Sequence, residues 1–276
     1  MPEDIQSHRE AIDRIDAEVT RLIGNDLAKL RPGSPEAARL KQVLIDQGAW
    51  SQYLEVGIGP DAEIFTKSQP MAAVGTGMDA GIHPGSSWNN PEPEVVLAVS
   101  SDGRIVGATL GNDVNLRDVE GRSALLLGKA KDNNASCAIG PFLRLFDANF
   151  TLDDVRSTVV TLQVKGEDGF ELEGSSSIAM ISRDPADLVA QMVNAHHRYP
   201  DGAVLFLGTM FAPVKDRDFQ GQGFTHKTND IVTIAAPKLG RLVNRMRPTD
   251  QCEAWSFGAG ALMRNLAKRG DRKSVV

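Results

Sequence analysis

Apolar residues recur at three- and four-residue steps along the opening stretch, at Ile12, Ile15, Val19, Leu22, Ile23, Leu27 and Leu30, with charged residues between them. That spacing places one apolar stripe along a helix. Arg31-Pro32-Gly33 stops it, and Ser34 then N-caps a second helix with Pro35 at its first position, Glu36 beside it and Gly48 as its C-terminal cap. These two helices form an arm over residues 1–48, with 31–34 as the hinge. From Phe65 the pattern changes: glycine, proline and β-branched residues become frequent, and short alternating runs replace helical spacing. The segments 95–99, 105–110, 158–164, 170–172, 204–207, 231–234 and 242–244 are the predicted strands. One helix interrupts them, started by Asp184-Pro185 and carrying Leu188, Met192 and Ala195 as its buried stripe toward Pro200. The expected fold is mixed α+β and mainly β, an antiparallel body over residues 49–276 behind a helical N-terminal arm.

Composition narrows the classes of function. The chain has 276 residues, 41% hydrophobic and 24% charged, which is enough to bury a full core. Its net charge of -6 argues against a nucleic-acid partner, since such proteins concentrate Lys and Arg on one face. No apolar run approaches the roughly 20 residues that span a bilayer, and Met1 to Asp4 begins no signal peptide, so no membrane association and a cytoplasmic location are expected. Cys137 and Cys252 lack the paired spacing of a zinc or redox motif and read as buried thiols.

The chemistry concentrates in Asn89-Asn90-Pro91-Glu92-Pro93-Glu94, which runs into the first predicted strand and ends in Ser101-Asp102-Gly103-Arg104. Asp-Gly between β-rich runs signals a hairpin. If Asp102 and Gly103 are its two turn residues, Glu92 faces Asp113, while Glu94, two residues along the same face, lies opposite Gly111 with no side chain to fill the space. Three carboxylates that close either raise a pKa or hold a cation, and an all-oxygen set favours magnesium, manganese or calcium over zinc. A solvated strand face is the alternative.

Glu92-Pro93-Glu94, then Gly111-Asn112-Asp113-Val114-Asn115-Leu116-Arg117-Asp118, then Lys131 and Gly140-Pro141, resemble the fumarylacetoacetate hydrolase superfamily in type, order and spacing. The similarity continues through Phe65-Thr66-Lys67, Gly208-Thr209 and Asn229-Asp230-Ile231-Val232, over roughly residues 49–265. Trp88 to Glu94, Asp118-Val119-Glu120-Gly121-Arg122-Ser123 and Ser136-Cys137-Ala138-Ile139 look like its 2-keto-3-deoxy-pentonate dehydratase branch.

The resemblance implies a β-roll core and a magnesium-dependent lyase, with manganese as the other candidate ion. Its partner would be a small 2-oxo sugar acid, 2-keto-3-deoxy-D-xylonate or -D-arabinonate, dehydrated to 2,5-dioxopentanoate through a metal-stabilised enolate in non-phosphorylative pentose breakdown. Acylpyruvate hydrolysis, oxaloacetate decarboxylation or keto-acid binding without catalysis are the alternatives on the same platform. Glu92, Glu94 and Asp113 would hold the metal, and Lys131 and Glu92 would act catalytically. Lys129 is the register alternative to Lys131. Thr209 would meet the substrate carboxylate, unless it is a strand-end turn. Lys67 lies at the pocket floor or pairs with an acid, and Arg117 and Asp118 form an ion pair behind Asp113 or at the surface. His226 sits in a glycine-bearing loop that can border the site, whereas adjacent His196 and His197 cannot share one ion on a helix. Relatives carry a further acid or histidine on a helical lid ahead of the metal strand, for which Glu10, Glu18 and Glu55 are the candidates here. A homodimer or homotetramer is expected, as relatives usually form.

Overall fold

The computed structural model describes residues 30–211 and 213–270. The helix expected ahead of Leu30, with Glu10 and Glu18, lies outside the described residues. The second expected helix is α1, Pro35–Asp46, where the Ser34 hydroxyl accepts from the Ala37 amide at 3.2 Å and Gly48 turns the chain at φ 67°. A further helix, α2, Gln52–Ile58, follows under a Ser51 cap. Leu40 and Leu44 of α1 pack with Leu30, Ala49, Trp50, Leu54 and Ile58, a small cluster separate from the main core.

The body is built on two main sheets. In one, strands β1 (Asp79–Ile82), β11 (Gly240–Pro248), β10 (Ile231–Ala236), β7 (Val159–Lys165) and β8 (Glu171–Ser177) lie in that order. The other carries β6 (Cys137–Leu145), β4 (Ile105–Asp113), β3 (Pro93–Val99) and β9 (Ala203–Phe206), and a two-stranded ribbon pairs β2 (Asn89–Asn90) with β5 (Asn115–Leu116). Neighbours run antiparallel except β1 with β11. The mixed, mainly β architecture expected from the sequence is therefore present.

Side-chain alternation divides the two faces of β3. Val95, Leu97 and Val99 join Leu110, Leu162, Val164, Ile234 and Leu242 in the main core. Glu92, Glu94 and Ala98 line a cavity on the opposite face. The core thus holds the hairpin that carries the acids.

The hairpin register differs from the expected one at its tip and agrees at its base. The turn has three residues, not two: the Ser100 amide donates to the Arg104 carbonyl and the Gly103 amide to the Ser100 carbonyl, both at 2.9 Å, with Gly103 at φ 82°. That alone would slip every pair by one residue and turn the acids to the wrong face. A bulge cancels it, because Val99 pairs with Ile105 but Ala98 with Gly107, leaving Val106 as the extra residue. Glu94 therefore lies opposite Gly111, and the Asp113 amide donates to the Glu92 carbonyl at 3.1 Å.

The helix started by Asp184 is shorter than its pattern suggests. As α6, Pro185–Met192, the next helix after α5 (Leu152–Arg156), it buries Pro185, Val189 and Met192. Asn194 ends it by donating to the Ala190 and Gln191 carbonyls and accepting from the His196 amide, so Ala195, His196 and His197 leave the helix exposed. Among the described residues no helix is long and apolar enough to cross a membrane.

Candidate metal centre and active site

Glu92 lies immediately before β3, Glu94 within β3, and Asp113 at the end of β4. Each offers an oxygen, and the three oxygens lie within 4.8 Å of one another. Backbone and side-chain partners fix them individually. The Glu92 amide donates to Asn112 Oδ1 at 3.1 Å, and Glu92 Oε1 accepts from Asn115 Nδ2 at 3.0 Å. Glu94 Oε2 accepts from the Gly208 amide at 2.6 Å, a bond that ties β3 to the loop after β9. The space opposite Glu94 is not open as expected. A Cβ on Gly111 would meet the Phe206 ring at 2.3 Å and Val96 at 2.5 Å, so glycine there admits Phe206 instead of leaving a hole.

Two lysines enter the cluster. Lys131, at the end of the short helix α4 (Leu127–Lys131, after α3, Arg117–Glu120), donates to Glu92 Oε2 at 2.6 Å and Asp113 Oδ2 at 3.2 Å. Its ammonium also lies 3.9 Å from Glu120. Lys67 lies 2.8 Å from Asp113 Oδ1 and donates to the Val114 and Lys131 carbonyls and to Ser136 Oγ. Lys67 therefore ties Asp113 to the backbone of α4, the structural pairing that was one of its two expected roles.

Burial raises the Glu92 carboxyl to about 7, with Lys131 opposing and Asp113 and Glu120 assisting. Glu94 is pushed well above the carboxylate range, first by burial and then by Asp113 and Glu92. Burial would lower Lys131, but Glu92, Asp113 and Glu120 outweigh it and hold the ammonium charged. A pH dependence of stability follows for the magnesium-free protein. Above the usual carboxylate value of 4.5, the folded state keeps protons on Glu92 and Glu94 that the unfolded chain has released, so stability falls as pH rises. His226, held neutral by burial, works in the opposite sense only below its usual value of 6.5. Between pH 6.5 and about 8.5, urea midpoints in a chelator are therefore expected to fall, and saturating magnesium to flatten the slope. An equal slope with and without magnesium would contradict this.

The donor set fits a hard divalent cation. All three donors are carboxylates, and the oxygens of buried Asp113 lie 2.8 Å from Lys67 and 3.2 Å from Lys131, where a second cation is matched by acid. Two lysines offset only part of the charge of the three acids.

The cavity around the cluster has a volume of about 2190 Å³ and is lined by Lys67, Arg117, Lys131 and Thr209. Lys129 is exposed on α4 and does not line it, because two residues along a helix turn a side chain to nearly the opposite side. Thr209 Oγ1 accepts from the Phe211 amide at 3.2 Å, a turn contact at the cavity wall. Arg117 and Asp118 do not brace Asp113 as a pair. Arg117 lies 4.5 Å over the Trp88 ring, while Asp118 accepts from Ser86 Oγ at 2.7 Å and the Ser87 amide at 2.8 Å. Successive residues on a helix diverge, and each found its own partner. His226 is buried against Asp230 at 3.1 Å and does not line the cavity. Glu55 faces α1 and Trp50, bonded to Lys41 and to Trp50 Nε1, away from the cavity.

Sequence reasoning missed Glu63, Glu120 and Asn115. Asn115 Nδ2 bridges Glu92 and Glu120, donating to Glu120 Oε2 at 2.6 Å. When ionised, both neighbours only accept, which fixes the amide orientation. Glu63 lines the cavity, and its carboxyl is raised by burial and then by Glu120, against the pull of Lys131. Glu120 could have been found in the Asp118-Val119-Glu120 motif, whereas no pattern in the sequence marks Glu63.

Residues 71–247 match the family model described as the C-terminal domain of fumarylacetoacetate hydrolase. A 2-dehydro-3-deoxy-D-arabinonate dehydratase of Saccharolobus solfataricus is 30% identical over 188 residues, 67% of this chain and 58% of that protein. A protein of Haloferax volcanii named "probable 2-keto-3-deoxyxylonate dehydratase" is 28% identical over 70% of this chain and 62% of its own length. The chain thus spans about three fifths of the curated relatives it matches. Among solved structures, 2-keto-3-deoxy-D-arabinonate dehydratase complexed with magnesium and 2,5-dioxopentanoate superimposes with a TM-score of 0.63 at 29% identity, covering 72% of this chain and 66% of that one. Its apo form gives a TM-score of 0.64 over the same shares. With the three carboxylates, Lys131 and the hairpin all inside the matched span, the chain belongs to the fumarylacetoacetate hydrolase family.

Proposed function

We propose that this chain dehydrates a 2-keto-3-deoxy pentonate, of the D-arabinonate or D-xylonate series, to 2,5-dioxopentanoate and water. The carrying observation is the convergence of Glu92, Glu94 and Asp113 with the Lys131 ammonium on one cavity wall. A relative complexed with magnesium and 2,5-dioxopentanoate supports the choice of ion and reaction.

Glu92, Glu94 and Asp113 would hold magnesium, or manganese by the same donor chemistry. The bound ion supplies Lewis acidity toward the 2-oxo and carboxylate oxygens of the substrate. Lys131, kept cationic by its acids, offsets the negative charge that grows on the C2 oxygen when a C3 proton leaves. Glu63, on the cavity wall with a raised carboxyl, accepts that proton and returns it to the departing C4 hydroxyl, which leaves as water. The C3–H and C4–O bonds break and the C3–C4 double bond forms. Moving a proton from C5 to C3 and another from the C5 oxygen to C4 then yields the terminal aldehyde, so water is the only net loss. Thr209 and Arg117 line the cavity where the substrate carboxylate and distal hydroxyl would sit.

The test is product analysis by NMR with 2-keto-3-deoxy-D-arabinonate, its D-xylonate isomer and acetylpyruvate, each with and without magnesium. Magnesium-dependent 2,5-dioxopentanoate is expected, and pyruvate plus acetate from acetylpyruvate alone would replace the dehydratase reading by a hydrolase. Glu63→Gln is expected to lower kcat about 100-fold with magnesium affinity intact, measured by steady-state assay beside calorimetry. Unchanged kcat would remove Glu63 from the mechanism.

A further inference from the structure

Outside the cluster, the guanidinium of Arg183 stands out as a buried charge whose hydrogen bonds go to backbone carbonyls and to no carboxylate. It is 6% exposed, and its nearest acid, Asp187, lies 3.7 Å from Nη1. Nη2 donates to the carbonyls of Val56 at 3.0 Å, Gly59 at 2.7 Å and Asp61 at 3.1 Å, and Nε donates to Val56 at 3.2 Å. Those carbonyls belong to the last turn of α2 and the chain leaving it, where intrahelical partners run out and the helix end is negative. A second tie follows directly, from the Ala62 amide to Gln191 Oε1 of α6 at 2.7 Å.

We propose that Arg183 is a positioning residue for the reaction: it anchors the chain after α2 to the body so that Glu63 stands at the cavity wall. This rests on the proton-carrying role given to Glu63 above. Three observations carry it. The apolar cluster of α1 and α2 is separate from the main core, so the arm is joined to the body largely through polar contacts. The backbone is held at Asp61 and Ala62, the two residues before Glu63. Beyond Glu63, Ile64 packs on the main core and Lys67 is fixed on Asp113, so residues 61–67 span a short path between two anchors. Releasing the first anchor lets Glu63 drift while the metal ligands, held by β3, β4 and Gly208, stay in place. Misplacing a reacting group by about 1 Å can cost on the order of 100-fold.

The experiment compares Arg183→Met, Arg183→Lys and Gln191→Ala, each alone and combined with Glu63→Gln. Three quantities are read: turnover of 2-keto-3-deoxy-D-arabinonate, exchange of pyruvate methyl protons with deuterated water followed by NMR, and magnesium affinity by calorimetry. Arg183→Met is expected to lower kcat and exchange about 10- to 30-fold, with KM within about 3-fold and magnesium affinity unchanged. In the Glu63→Gln background the same change is expected to cost less than about twofold more, because both act through one group. Arg183→Lys restores part of the loss, and Gln191→Ala shows a smaller loss with the same non-additivity. A folded Arg183→Met with wild-type exchange, a loss that adds fully to that of Glu63→Gln, or magnesium affinity falling in step with activity would each overturn the proposal. If Arg183→Met does not fold, Arg183→Lys and Gln191→Ala decide it by the same double-mutant comparison. A wild type that exchanges pyruvate protons but forms no 2,5-dioxopentanoate sinks the dehydratase reading alone, and Arg183 is then judged on exchange. A wild type without exchange overturns the positioning role itself.

Discussion

Replacing Asp113 by asparagine is expected to abolish magnesium binding and lower kcat/KM by at least about 1000-fold, more than the roughly 10- to 100-fold that loss of an outer partner costs. Asp113 faces Glu92 across the hairpin, and its two oxygens lie 2.8 Å from Lys67 and 3.2 Å from Lys131. An amide there offers one neutral oxygen and one N–H₂, and the N–H₂ would confront either a cation or a lysine. The fold should survive. Lys67 loses the acid it pairs with and Lys131 one of its three, so the magnesium-free variant is expected to melt below the wild type. The rise in melting temperature that magnesium gives the wild type should vanish. Asp118→Asn is the control, since Asp118 holds Ser86 and Ser87 and not the cluster, and magnesium affinity should stay within about twofold. Retention of magnesium affinity in Asp113→Asn would mean that the ion sits elsewhere.

The convergence tested by that variant was legible in the sequence because it depends on period-two alternation. Whatever the turn does, Glu92 and Glu94 share a face, and only register decides which residue of β4 meets them. The register came out as expected although the turn did not, since the extra turn residue and the Val106 bulge cancel. Bulges leave no reliable mark in a sequence, so this agreement at the base of the hairpin owes something to compensation.

Strand β6 was hidden for a different reason. Gly140-Pro141 interrupts it, and proline argues against a central strand. The sheet order places β6 at an edge, and its pairing with β4 is irregular beside that dipeptide, where proline's missing N–H is tolerated. The helix from Asp184 was overextended because Ala195 fits the apolar spacing, whereas Asn194 competes for the last carbonyls and ends it. Glu63 and Arg183 were invisible for a tertiary reason. Each draws its role from partners far along the chain, Arg183 from carbonyls more than 120 residues away. A lone Glu or Arg carries no spacing that could reveal this.

Lys131→Met separates charge at the reacting oxygen from the holding of the metal, because its two expected effects run apart. The Lys131 ammonium is buried between Glu92 and Asp113, and without the ion its acids keep it charged, which places a cation beside the cluster. Methionine keeps most of the volume and removes the charge. Activity should fall about 1000-fold in kcat, the upper range for deleting one donor aimed at developing negative charge, or about 4 kcal/mol. Magnesium affinity, by contrast, should hold or rise, since the ion and the ammonium compete for the same two carboxylates. The magnesium-free variant should be less stable than wild type, because removing one partner leaves Glu92 without its lysine and Asp113 with Lys67 alone. Magnesium should then raise its melting temperature by more than it raises that of the wild type. Calorimetric titration and thermal unfolding with and without magnesium read both effects on one preparation. If magnesium affinity fell as far as in Asp113→Asn, Lys131 would be part of the scaffold that shapes the ligands. If kcat stayed near wild type, the charge placed beside the C2 oxygen would come from the ion alone.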